Sequence, residues 1–140
     1  MRLRPRRDAR DHDVVAALAR APLLTSVPGR GLRRLANEGI RRRFREGDVI
    51  VREETPGSTF FVVLSGCASV AVDGTIVRAL GPGDSFGEIG AIGGGPRTAT
   101  VVAATDVDCL ALAPWLLRSF LASHAEAGWL LVQRVARLAA

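Results

Sequence analysis

The residues best suited to chemistry lie between positions 86 and 101, which read FGEIGAIGGGPRTATV. A carboxylate, Glu88, follows a glycine, and a guanidinium, Arg97, follows a proline, with a glycine-rich turn between them. The planar fork of Arg97 suits two oxygens of one phosphate, whereas Glu88 accepts hydrogen bonds, for which ribose hydroxyls are suitable donors. Gly87 has no Cβ, so its backbone allows close approach of a ligand. The segment predicts a site for a nucleotide with a phosphate and a free ribose hydroxyl.

This segment resembles the phosphate-binding cassette of cyclic-nucleotide-binding domains, the family of the regulatory subunit of cAMP-dependent protein kinase and the catabolite activator protein. The resemblance rests on F-G-E-I and P-R-T-A-T-V, with the family's nine-residue step from Glu88 to Arg97. It implies that Arg97 neutralises a cyclic phosphate and that Glu88 accepts from the ribose 2′-hydroxyl. The ligand-binding residues are then Gly87, Glu88, Ile89, Arg97, Thr98 and Ala99. The candidates for the purine wall are Val70 and Val77, and those for a lid are Trp129 and Val132.

The resemblance implies recognition of cAMP or cGMP without chemistry, and no cofactor besides that ligand. Thr98 does not decide between adenine and guanine, because a threonine after the arginine bonds guanine in some members and is also found in many that bind cAMP. We favour cAMP. A cupin-type enzyme on a similar barrel needs clustered metal ligands, and the two histidines, His12 and His124, fall in predicted helices outside the barrel.

Charge is unevenly distributed along the chain. Residues 1–45 contain 13 arginines and 4 acids, whereas the remainder contains 6 arginines and 10 acids. A basic segment suits nucleic acid, an anionic membrane or an acidic partner. Few aromatic residues accompany these arginines, however, and nucleic-acid binding usually combines the two. We therefore expect a solvated tail over residues 1–10, with a nucleic-acid module as an alternative.

The expected partners are the nucleotide, an effector domain or protein outside this chain, and a second copy bound through the C-terminal helix. A ligand-free interaction domain of the same fold is the other alternative. Cys67 and Cys109 have no CxxC spacing, which indicates free thiols in a reducing cytoplasm. No apolar run approaches the ~18 residues that span a bilayer, and Arg20 and Pro22 interrupt the segment that would form a signal peptide.

The periodicity predicts a mainly β domain with flanking helices, a compact antiparallel sandwich or barrel, and the resemblance implies that it is an antiparallel β-roll or jelly-roll barrel. We expect the N-terminal helices at residues 11–39, with a start at Asp11 or Asp13. The barrel is expected at residues 40–113, with the cassette at 86–101, and the hinge or lid helices at 114–140. Asp73-Gly74 predicts a two-residue hairpin, Gly39 a helix end, and Ser123 to Glu126 a capping box.

Two positions depart from the family pattern. Glu54 stands where many members have a glycine, so we expect the turn there to differ or to be strained. Gly90-Ala91 stands where members usually have Ala-Leu, which we expect to thin the pocket wall. We expect no helix-turn-helix within these 140 residues.

Overall fold

Two antiparallel sheets and flanking helices make up the computed structural model, which describes residues 5–87, 91 and 96–139. In these residues each sheet has four strands, in the orders β1-β8-β3-β6 and β2-β7-β4-β5. The strands are β1 (Ile40–Phe44), β2 (Val49–Val51), β3 (Phe60–Ser65), β4 (Ala68–Val72), β5 (Thr75–Leu80), β6 (Ser85–Phe86), β7 (Thr100–Ala103) and β8 (Val107–Leu112). The helices are α1 (Pro5–Arg20), a short 3-10 helix (Pro22–Leu24), α2 (Gly29–Glu38), α3 (Pro114–Ser123) and α4 (Ala125–Ala139). The predicted fold class is confirmed.

Strand β3 is apolar on both faces because both faces are covered. Phe61 and Val63 belong to the cluster between the two sheets, where the Phe61 ring stacks on Phe86 with centroids 4.9 Å apart. Phe60 and Val62 belong to a second cluster, which the helices complete. Successive side chains of a strand point to opposite faces, so a strand covered on both sides has no polar face.

Helix α1 begins at Pro5, upstream of the start expected at Asp11 or Asp13. The predicted tail is therefore wrong for residues 5–10, which are helical, while residues 1–4 lie outside the described residues. Proline is favoured in the first turn of a helix, and neither glycine nor a further proline interrupts the chain before Arg20 ends the helix. Leu18 anchors α1 to the core and is fully buried.

Two helix ends form for reasons other than those expected. Gly39 follows α2 as predicted, but its φ of −74° is open to any residue. Glycine is needed there because a Cβ would lie 2.8 Å from Leu110 Cγ. The capping box is wrong: Ser123 is the last residue of α3, and its hydroxyl donates to the Ser119 carbonyl at 3.3 Å. The helical conformation ends one residue later, at His124, whose φ is −131°.

Two turns use the left-handed region of backbone conformation. Asp73 and Gly74, with φ of 50° and 81°, form the predicted hairpin between β4 and β5. Glu54 has φ of 65°, and its amide donates to the Arg97 carbonyl at 2.9 Å. The turn at Glu54 is therefore strained, one of the two outcomes expected from the sequence, because a Cβ is disfavoured at this φ.

Replacing Glu54 by glycine is expected to raise the free energy of unfolding by ~0.5–1 kcal/mol. A left-handed conformation costs an L-residue ~1–2 kcal/mol, and the greater freedom of unfolded glycine cancels part of the gain. Glu46→Gly is the control, since Glu46 is an exposed turn residue without positive φ; it is expected to lower stability by ~0.5–1 kcal/mol. Urea denaturation measures both, and equal destabilisation by the two would contradict strain at Glu54.

Candidate functional site

Arg97 is held through its backbone by the loop between β2 and β3. Its amide donates to the Thr55 carbonyl and its carbonyl accepts from the Glu54 amide, both at 2.9 Å. Pro56 and Pro96 form an isolated antiparallel bridge beside these bonds. The strained turn at Glu54 is thus part of the support that fixes the position of Arg97.

The Arg97 guanidinium is half-buried and incompletely paired. Its Nη2 donates to the Thr59 carbonyl at 3.0 Å. Its Nη1 is buried and has no hydrogen-bond partner among the described residues. Burial lowers the pKa of Arg97, because removal of water disfavours the charged form. The free donor and the desolvated charge together suit an incoming anion.

Two glycines make room for this guanidinium. A Cβ at Gly57 would lie 2.6 Å from Arg97 Nε, and one at Gly87 would lie 2.9 Å from Arg97 Nη1 and 2.6 Å from the Thr59 carbonyl oxygen. Gly87 also has φ of +94°, a conformation that favours glycine. Gly87 was predicted from its place before Glu88, whereas Gly57 was missed, because Pro56-Gly57 is equally typical of an ordinary loop.

Arg97 lines a cavity of about 340 Å³, which we call the cassette cavity. Six of the residues singled out by the sequence lie around it: Val70, Val77, Gly87, Arg97, Thr98 and Ala99. They come from β4, β5 and the two ends of the cassette. Glu88 and Ile89 lie outside the described residues. The volume falls within the ~300–1,000 Å³ of small-molecule sites.

A bulge in β5 brings two successive residues to this cavity. Val70 of β4 is paired with Arg78 and Ala71 with Ile76, so that Val77 is the extra residue. Val77 and Arg78 therefore both line the cavity, although strict alternation would send them to opposite faces. Arg78 was missed because the bulge leaves no signal in the sequence.

Helix α4 presents different residues to the cavity than the sequence suggested. Arg134 lines the cavity and lies on the same helical face as the buried residues Ala127 and Leu131. Trp129 and Val132, the lid candidates, are 61% and 55% exposed and do not line it. The helical period places 129 and 132 on the opposite face, so a lid role for them stays a prediction that requires α4 to move.

The cassette is tied to α3 through Ala91. The Ala91 amide donates to the Gly87 carbonyl at 3.1 Å, and its own carbonyl accepts from Arg118 Nε at 3.0 Å. Ala91 is fully buried in the cluster completed by the helices and does not line the cavity. Ala91 itself therefore does not form the cavity wall, and the expectation of a thinner wall at Gly90-Ala91 stays a prediction for Gly90, which lies outside the described residues.

The described residues contain neither a metal-binding cluster nor a membrane-spanning helix. No group of three or more His, Cys, Asp or Glu side chains is placed to hold a metal ion. None of the helices in that part of the chain has the length and apolar character to cross a membrane.

Comparison with known proteins gives the class of this domain. A family model described as the cyclic nucleotide-binding domain matches residues 41–124. The chain is 38% identical over 74 residues to a cAMP-dependent protein kinase regulatory subunit of Debaryomyces hansenii, covering 51% of this chain and 16% of that protein. The N-terminal domain of a transcriptional regulator from Streptomyces coelicolor A3(2) superposes with a TM-score of 0.72 at 30% identity, covering 86% of this chain and 88% of that one.

The chain belongs to the cyclic nucleotide-binding domain family. It is also 29% identical over 125 residues to a CRP-like cAMP-activated global transcriptional regulator of Mycobacterium tuberculosis, covering 86% of this chain and 56% of that protein. The chain thus spans less than two thirds of the length of the two curated relatives named above.

Gly57→Ala is expected to displace the Arg97 side chain while the fold is kept. The added methyl would meet the flexible end of Arg97, so the side chain shifts and its hydrogen bond to Thr59 weakens. The free energy of unfolding is expected to fall by ~1 kcal/mol. Gly81→Ala is the control, because nothing lies within 4 Å of a Cβ there. Urea denaturation and the Arg97 Nε–H resonance measure the effect, and an unmoved resonance would contradict the close packing of Gly57 on Arg97.

Proposed function

We propose that this domain binds a cyclic purine nucleotide, with cAMP as the first candidate, and acts by recognition without chemistry. The observation that carries the proposal is the Arg97 guanidinium, whose buried Nη1 lacks a partner among the described residues at the wall of the cassette cavity. A cyclic phosphodiester bears one negative charge, which one guanidinium balances. The similarity to cAMP-dependent regulators supports the same choice.

Each end of the ligand has proposed contacts. Arg97 binds the phosphate together with the backbone amides near Gly87, Thr98 and Ala99, since a positive-φ glycine lets the chain approach closely. Glu88, with Ile89 beside it, accepts from the ribose 2′-hydroxyl, an assignment that rests on the family resemblance.

The base is proposed to pack between Val70 and Val77. Val77 is 59% exposed, so a purine would cover apolar surface that now faces solvent. cGMP is the second candidate, and Arg78 and Arg134 favour it. Their guanidiniums are purely donors, and guanine offers two acceptors, O6 and N7, where adenine offers N7 and a donor amine.

Ligand binding is proposed to move the C-terminal helices, and an effector domain or partner protein reads the movement. Two described contacts support this route. Arg118 of α3 bonds the Ala91 carbonyl inside the cassette, and Arg134 of α4 lines the cavity itself. A ligand that draws the Gly87 end of the cassette toward Arg97 changes both contacts, and linkage requires that helix position in turn changes ligand affinity.

The outer face of α4 is proposed to bind a second copy of this chain. Ala125, Trp129, Val132 and Ala136 are exposed and follow one another at steps of four, three and four residues. This is the spacing of a coiled-coil seam. Two such helices would bury the indole of Trp129, which is now largely exposed.

We place the domain in the cytoplasm. Cys67 is half-buried, Cys109 is buried, and both are free. Burial, with a smaller contribution from the charge of Asp108, raises the pKa of Cys109 to about 12. Free thiols of this kind are typical of a reducing compartment.

Arg97→Ala is expected to weaken cAMP binding by about ten- to a hundred-fold, the loss typical of a charge-assisted anchor. Arg43→Ala is the control, because Arg43 is exposed on β1 and does not line the cassette cavity. Calorimetry with cAMP and cGMP on the wild-type chain decides the base preference. Absence of binding for both nucleotides would favour a ligand-free interaction domain.

Glu88→Gln completes the same experiment at the ribose end. It is expected to weaken the binding of cAMP more than that of 2′-deoxy-cAMP, because the deoxy ligand makes no 2′-hydroxyl contact that the substitution could remove. Equal weakening of the two ligands would exclude the proposed ribose contact.

Trp129→Glu is expected to convert a dimer into a monomer in analytical ultracentrifugation, because a charge at the seam must be desolvated on association. Ala122→Glu adds the same charge at an exposed position of α3 and is expected to leave the dimer intact. A wild-type chain that sediments as a monomer would refute the proposed dimer contact through α4.

A further inference from the structure

A second cavity, of about 370 Å³, lies beside β1 and β2. Both are edge strands, one in each sheet, so the cavity marks the seam at which the roll is open; we call it the seam cavity. Its apolar lining includes Phe44, Ile50 and Phe61. These side chains belong to or pack against the cluster between the sheets.

The polar lining of the seam cavity is strongly basic. Arg42, Arg52 and Arg97 line it, and no acidic residue among those that the structure describes does so. Among the residues that the structure describes, no carboxylate lies within salt-bridge distance of these three. Arg42 also sits over the Phe44 ring, 5.6 Å from its centroid, an arrangement that leaves the guanidinium edge free for an anion.

Arg97 belongs to both cavities. Its Nη1 lies toward Gly87, which lines the cassette cavity, and its Nε lies toward Gly57, which lines the seam cavity. The guanidinium therefore forms part of the wall of both cavities. An anion on either side of it lies within a few ångströms of the same positive charge.

We propose that the seam cavity is a second binding site, for an organic anion that combines a phosphate or carboxylate with an apolar ring. The arginines supply charge-assisted hydrogen bonds, and Phe44, Ile50 and Phe61 provide apolar surface for the ring. An inorganic anion contacts only the arginines, and a neutral ring contacts only the apolar side chains. A ligand that combines the two groups therefore binds most tightly of the three.

Occupancy of the seam cavity weakens nucleotide binding. An anion there reduces the positive potential that Arg97 offers to a phosphate in the cassette cavity, and linkage makes the effect reciprocal. This coupling rests on the proposed nucleotide function, whereas the site itself does not.

The test is a titration with phenyl phosphate, followed by backbone amide resonances of the full chain. The expected shifts cluster at Phe44, Ile50, Arg52 and Thr55, which line the seam cavity and not the cassette cavity, and phenyl phosphate binds more tightly than inorganic phosphate or benzyl alcohol. The variant Arg42→Ala/Arg52→Ala is expected to lose about ten-fold in affinity. Arg43→Ala/Arg45→Ala is the matched control, since it removes two exposed arginines that do not line the cavity.

Two outcomes would overturn the site. Equal weakening in the two double variants would mean diffuse attraction to a basic surface. Shifts confined to Val70, Val77 and Thr98 would mean that the probe binds in the cassette cavity alone.

The coupling has its own readout. Phenyl phosphate is expected to raise the Kd of cAMP several-fold in the wild-type chain and to have little effect in Arg42→Ala/Arg52→Ala. Competition that persists in this variant would indicate a shared cassette cavity and overturn the coupling. Failure of both cAMP and cGMP to bind would refute the nucleotide proposal and leave the resonance map as the test of the seam site.

Discussion

A guanidinium taken out of water needs partners for its donors, because the lost hydration is otherwise uncompensated. Arg97 obtains part of this compensation from the Thr59 carbonyl, while its buried Nη1 has none among the described residues. The chain keeps this cation close to backbone by placing Gly57 and Gly87 against it. In the proposed complex an anion in the cassette cavity supplies the missing hydrogen-bond partner, so that affinity and positioning would both come from Arg97.

The two-sheet core makes this arrangement rigid. Phe61 and Phe86 stack between the sheets, and Phe86 directly precedes Gly87. The loop at Glu54 closes over the Arg97 backbone in a conformation that is unfavourable for a residue with a side chain. Local strain of this kind persists when surrounding structure determines it, and at this position it sets the direction from which the guanidinium enters the cavity.

Helix α3 contacts the cassette and α4 contacts the cavity, at separate points. Arg118 reaches the backbone of Ala91, and Arg134 lines the cavity. The opposite face of α4 carries Trp129 and Val132 in solvent. In the proposed function the inner face of α4 senses the ligand and its outer face binds a second copy, so that a change at the first would alter the second.

The antiparallel fold class, the Asp73-Gly74 hairpin and the family could be predicted from the sequence, because periodicity, turn chemistry and a motif are local properties of the chain. The sequence did not determine that α1 starts at Pro5, nor that Gly39 is needed for contact with Leu110. The positions of Gly57, Arg78 and Arg134 emerge only from the folded chain. Gly57 meets Arg97 from a distant loop, a bulge turns Arg78 inward, and helix packing brings Arg134 to the cavity; each depends on contacts between segments that no local pattern encodes.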